Sequence, residues 1–293
     1  MTFAALLTKE LRSRLRRERF VWVIIAYLLV MGLLGIGFLQ RENAFGGGYQ
    51  GFLLSQIGAQ LYALLSFIQL FLIVFIAPAF TSTSINGEKE RQTYDLLLCS
   101  KLSALSLLAG KLIAGLANVL LLIAASIPLF SLVFFFGGVA PTQVLTTLLV
   151  FVMTALVAGT FGLFCSTILH RPTISTAVTY TFSVLWMFLY WIVFFLAQGS
   201  STSSTPRFTW SQWLNLSNPI SALNSTLSAG QGGITTYVLF RLHLAPWLAY
   251  TLVCLVVIII LFLLSAVFVK PNSLARFLSW LGQLGKEFQP SKG

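Results

Sequence analysis

The sequence predicts an all-α membrane protein with six transmembrane helices, preceded by an N-terminal amphipathic helix in the membrane interface. Three observations carry this reading. Of 293 residues, 57% are hydrophobic and 9% charged, with a mean hydropathy of +0.90, whereas a soluble domain is about half apolar and about one quarter charged. Six apolar runs approach or exceed the roughly 20 residues that a helix needs to cross the hydrocarbon core. Polar and apolar residues do not alternate over segments of about ten residues, as a membrane β-barrel requires.

Residues 1–19 come first. Phe3, Leu7, Leu11 and Leu15 recur every four residues and arginines crowd the remaining faces, the pattern of a helix lying among headgroups with its leucines at the acyl boundary. The first span, 20–39, is longer than the roughly 7–15 apolar residues of a cleaved signal and is read as retained. The later spans fall at 61–80, 112–136, 144–169, 174–197 and 247–269. Residues 20–270 thus form a six-span domain, with both termini on one side and a tail at 271–293. Pro78 and Pro128 fall inside the second and third spans; each removes a backbone hydrogen bond and favours a kink.

Orientation follows from the basic residues. Fifteen of the 18 lie on the side of the termini, among them Lys9, Arg12, Arg16, Lys89, Arg91, Lys101, Arg171 and Lys270, against Arg41, Arg207 and Arg241 on the other. The richer side is cytoplasmic, which places the chain as a multi-pass protein of the plasma or inner membrane. The net charge of +11 is then explained by attraction to anionic lipid, and no basic-aromatic module points to nucleic acid.

None of the seven acids lies inside an expected span, although ion-coupled transporters keep titrating groups at membrane depth. Lys111 is expected at the inner boundary of the third span, since a lysine at the centre costs about 2.5–3.5 kcal/mol. No GxxxxGK phosphate loop is present: Leu105 stands where the first glycine would be, ahead of Gly110-Lys111. Cys99, Cys165 and Cys254 are too scattered for a zinc site, and no Ser/His/Asp or His/His/Glu cluster suggests catalysis. Energy for active transport would have to enter from another subunit.

The connection at 84–103 is where it would enter. Asn86-Gly87 marks a turn, Glu88-Lys89-Glu90-Arg91 starts a solvated helix, and Tyr94, Leu97 and Leu98 give it an apolar face. Two readings stand: a solvated loop with one amphipathic turn, or a docking helix whose charged end meets a partner. The run from Gly87 through Glu88, Lys89, Glu90, Arg91, Gln92, Thr93, Tyr94, Asp95, Leu96, Leu97, Leu98, Cys99 and Ser100 to Lys101, Leu102 and Ser103 resembles a segment that follows the second span in membrane subunits of ABC exporters of the type 2 permease family. Gln92 replaces a frequent glycine and Lys101 a frequent proline. Further likenesses are the N-terminal Lys-Glu-Leu followed by arginines, the short link between spans three and four, and Asn218-Pro219-Ile220 in the long outer loop 198–245.

The resemblance implies a cytoplasmic coupling helix at 84–103, contacting a cytosolic ABC ATPase through Gly87, Glu88, Lys89, Glu90, Arg91, Thr93, Tyr94, Leu97 and Leu98. It also implies a second permease, as homodimer or heterodimer, with ATP and Mg bound on the ATPase and none on this chain. It identifies residues 1–19 with the connecting helix that approaches the ATPase, and it implies that Asn218 and Pro219 belong to short helices dipping back into the membrane. Gln56, Gln60, Gln69 and Asn118 either line a pathway or only join neighbouring helices. Two other classes compete with an exporter permease: a non-transporting scaffold or signalling subunit with an ATPase, and a membrane-embedded enzyme.

Overall fold

The structure, a computed structural model, describes residues 18–41, 51–90, 92, 104–169, 171–198, 216–229, 237–239 and 242–269. Residues 1–17, Arg91, Thr93, Tyr94, Leu97, Leu98 and the tail 271–293, for which expectations were stated, lie outside the described residues.

In chain order the elements are α1 (Glu18–Arg41), α2 (Gly51–Thr81), α3 (Asn86–Glu90), α4 (Ala104–Phe136), α5 (Pro141–Ile168), α6 (Pro172–Gln198), α7 (Pro219–Ala229), strands β1 (Tyr237–Leu239) and β2 (Leu242–Leu244), and α8 (Pro246–Val269). Helices α1, α2, α4, α5, α6 and α8 are each long and apolar enough to cross a membrane, so the chain is an all-α bundle of six spans. The short antiparallel hairpin, with Tyr237 opposite Leu244, is a feature hydropathy did not reveal. Helices α5, α6, α7 and α8 all begin at a proline, whose missing N–H is no loss in the first turn. At the start of α5 the Gln143 side chain also accepts the Ala140 N–H at 2.9 Å.

Helix α5 is the most buried of the six spans and packs on α8, α2, α4 and α6. Its small residues explain this, because helices in lipid associate through close backbone approach. A methyl group added at Gly159 would stand 2.7 Å from Leu116, and one at Gly162 would stand 2.3 Å from the Thr81 hydroxyl. At the opposite end of the bundle, Gly138 adopts φ +82°, and a Cβ there would meet the Ser55 carbonyl at 2.1 Å. Only glycine fits that conformation and that distance.

Helix α7 is folded back into the bundle against α5, α8, α2 and α6. Asn218 starts it: its Oδ1 accepts the Ile220 N–H at 2.9 Å, and its Nδ2 donates to the Trp186 carbonyl at 2.9 Å. The Trp186 indole N–H in turn donates to the Ser217 carbonyl at 2.7 Å. Trp186 lies 14 residues into α6, about 21 Å along it, so the staple sits midway along a span. At the other end of α7, Gln143 Nε2 donates to the Thr226 carbonyl at 3.2 Å, and the Thr226 hydroxyl lies 3.1 Å from that of Thr147. Tyr62 donates to Thr147 at 2.7 Å, which extends the network to α2.

Candidate functional site

Between α2 and α4 the chain forms a tight hook, residues 82–90, held by side chains from three spans. Its first turn continues α2, with the Ser82 N–H on the Pro78 carbonyl at 2.9 Å. Ser84 Oγ caps that turn by donating to the Thr81 carbonyl at 2.7 Å. From α6, Ser175 Oγ donates to the Ser82 carbonyl at 2.7 Å. From α5, Ser166 Oγ accepts two backbone N–H groups, Ile85 at 2.8 Å and Asn86 at 3.1 Å, and donates to Asn86 Oδ1 at 3.1 Å. Lys89 Nζ reaches the Thr167 carbonyl at 2.7 Å. From α4, Lys111 Nζ donates to the Ser84 carbonyl at 2.8 Å and pairs with Glu88 Oε1 at 2.5 Å.

These bonds satisfy backbone groups that a helix end would otherwise leave bare in an apolar setting, where each unmet group is costly. They also bond residues 82–90 to α4, α5 and α6. Gly115, one turn beyond Lys111, and Gly162 allow the fit: a Cβ at Gly115 would meet the Thr81 methyl at 3.0 Å. The hook ends at Gln92, whose N–H bonds to the Lys89 carbonyl at 3.1 Å and whose φ is +58°. A non-glycine residue in that left-handed conformation costs about 1–2 kcal/mol, which accounts physically for glycine at this position in the resembling segments.

The connection residues that the sequence singled out divide here. Glu88 is turned inward, 26% exposed, on a lysine that is itself 4% exposed. Lys89 bonds to α5, Gly87 is half-buried, and Glu90 is exposed at the tip. Asn86, fully buried, is as much a part of the site as the charged residues. Lys111 is buried within α4, and together with Ser166, Thr167 and Ser175 it supplies contacts that sequence reasoning did not identify. The only available signal for Lys111 was its presence in an otherwise apolar run.

The four polar span residues are placed differently. Gln56 and Gln60 are exposed on α2, flanking Gly58, whose added Cβ would meet the Gly137 carbonyl at 2.2 Å at the far end of the bundle. Gln69, about 13 Å further along by helical rise, is buried and accepts the Tyr27 hydroxyl of α1. Asn118 is buried in α4. Asn218 and Pro219 are both buried, at the start of α7.

Six apolar helices folded as one bundle, with polar groups tying a hook to the span ends, define a multi-pass membrane protein. The sequence pattern of the ABC-2 family transporter proteins matches residues 4–275, and the chain belongs to that family. It is thus a membrane permease of ABC transport systems, a component type without its own ATPase site. None of the curated proteins compared with the chain matches it.

Proposed function

We propose that this chain is the membrane half of an exporter and that a separate cytosolic ABC ATPase drives it through the hook at 82–90. One observation carries the reading: the hook continues from the end of α2 and is bonded to α4, α5 and α6, so a push on it reaches several spans together. In this reading ATP and Mg reside on the ATPase, Glu90 and Gly87 face it, and Arg91, Thr93, Tyr94, Leu97 and Leu98 complete the contact. A second permease closes the pathway, both termini are cytoplasmic, and the membrane is the plasma or inner membrane.

Two measurements test this. Cysteines placed at Ser203 and Ser291 of an otherwise cysteine-free chain are expected to react from opposite sides of intact cells; labelling of both from outside would remove the orientation. Glu90→Lys is expected to lower copurification of the ATPase at least tenfold, because a desolvated interfacial charge that loses its partner costs about 2–5 kcal/mol. Glu42→Ala and Arg207→Ala, on the other side, should leave association unchanged. Wild-type association in Glu90→Lys would show that the tip does not face the ATPase.

A further inference from the structure

The geometry points to Lys111 as a positioning residue for coupling: its bonds to the Ser84 carbonyl and the Glu88 carboxylate tie the hook to α4, so that α4 follows the hook instead of slipping past it. The inference rests on the coupling reading and goes beyond it, since it takes Glu88 from the ATPase-facing surface and assigns it to a link within the chain.

The placement of the group argues for this. Lys111 lies two turns into α4 and is 4% exposed. An ammonium buried at this depth persists only where anionic and carbonyl oxygens replace its water, and both of its identified acceptors belong to the hook. Neutral hydrogen bonds hold the hook to α5 and α6 through Ser166 and Ser175, and the Lys89 ammonium adds one charge-assisted bond to the Thr167 carbonyl of α5. The attachment to α4 combines a charge-assisted bond with an ion pair of opposite charges, which is stronger than a neutral bond. Chain connectivity does not replace it, because Lys111 is 21 residues beyond Glu90, the end of α3. The small neighbour Gly115 brings Thr81 against α4 one turn away, so the pair and the close contact act at adjacent levels.

The test uses the full chain with its ATPase in lipid nanodiscs, the three native cysteines replaced, and spin labels at Ile113 on α4 and Leu263 on α8, both exposed. Distances are read without nucleotide and with ATP and vanadate. The unsubstituted chain is expected to show a nucleotide-dependent shift. Lys111→Met is expected to abolish the shift while the ATPase still copurifies. The neutral pair Lys111→Met with Glu88→Gln, which leaves no uncompensated charge, is expected to fold at wild-type yield and still lack the shift. The exchanged pair Lys111→Glu with Glu88→Lys restores the ion pair but not the bond to the Ser84 carbonyl, and is expected to regain part of it. A merely structural role for the ion pair predicts recovery in the neutral pair, and that result would overturn the proposal. So would an exchanged pair that folds without regaining any of the shift. Absence of any shift in the unsubstituted chain would instead remove the coupling reading, and this inference with it.

Discussion

Gly162→Ala is expected to insert normally but unseat the hook, at a cost of about 2–6 kcal/mol. The added methyl would stand 2.3 Å from Thr81 Oγ1 and 3.2 Å from both Thr81 Cβ and the Ser82 nitrogen. Two of these atoms are a hydroxyl bonded to the Ala77 carbonyl at 3.0 Å and a backbone nitrogen, so neither yields by a simple rotation. The end of α2 must therefore back away from α5, and overpacking of this kind costs about 1–3 kcal/mol. The same movement lengthens the bonds from Ile85 and Asn86 to Ser166, and each buried group left unmet adds about 1–3 kcal/mol. Thermal unfolding in detergent and copurification of the ATPase should both fall. Thr81→Ala removes the nearest atom, so the double variant with Gly162→Ala should recover most of each loss, a coupling between neighbours that a double-mutant cycle measures directly. Full association and an unchanged melting temperature in Gly162→Ala alone would show that close approach does not seat the hook.

How much of this was legible in the sequence depended on the physical origin of each feature. The six spans were, because a run of about 20 apolar residues has few other uses. Their ends were not. Helix α2 begins at Gly51, ahead of the apolar run from about residue 61 and with Gln56 and Gln60 on the helix as the sequence placed them; hydropathy does not mark that start, because both lie on its exposed side. Helix α4 begins at Ala104 rather than near 112, because Lys111 reads as a break, whereas the fold supplies it with Glu88 and Ser84. The hook was legible as a turn followed by charges, and by likeness to a family segment. Its contacts were not, since Ser166 and Ser175 are ordinary residues in membrane helices, and only the register of α5 and α6 against α2 brings them to the chain at 82–86. Eleven-residue α7 is too short to span and carries no hydropathy signal; the likeness of the Asn218-Pro219 element to a family segment implied a short helix there, and its contacts were not legible.

That beginning is the second site where a single side chain is expected to matter greatly. Asn218→Ala removes the cap on Ile220 and the donors to the Trp186 and Met187 carbonyls at 2.9 and 3.4 Å. Loss of an asparagine cap costs about 0.5–2 kcal/mol, and here Ile220 is buried, so its N–H is left unmet without water, adding about 1–3 kcal/mol. The total, about 2–5 kcal/mol, falls on a helix of 11 residues, which has little stability of its own and stays between α5 and α6 by such bonds. Asn218→Ser keeps a capping oxygen without adding a charge and loses the amide donors, so it should fall between wild type and alanine. The readout is a cysteine at Ser221, which is 9% exposed in α7, in a chain lacking the native cysteines and treated with a membrane-impermeant maleimide. With Asn218 present the reaction should be slow; with Asn218→Ala it should accelerate at least tenfold as α7 leaves its seat and Thr226 leaves Gln143 and Thr147. Because Trp186→Phe removes only the bond to the Ser217 carbonyl, its effect should be smaller than that of either Asn218 variant. An unaltered rate in Asn218→Ala would mean that the contacts of Thr226 with α5 hold α7 without the staple.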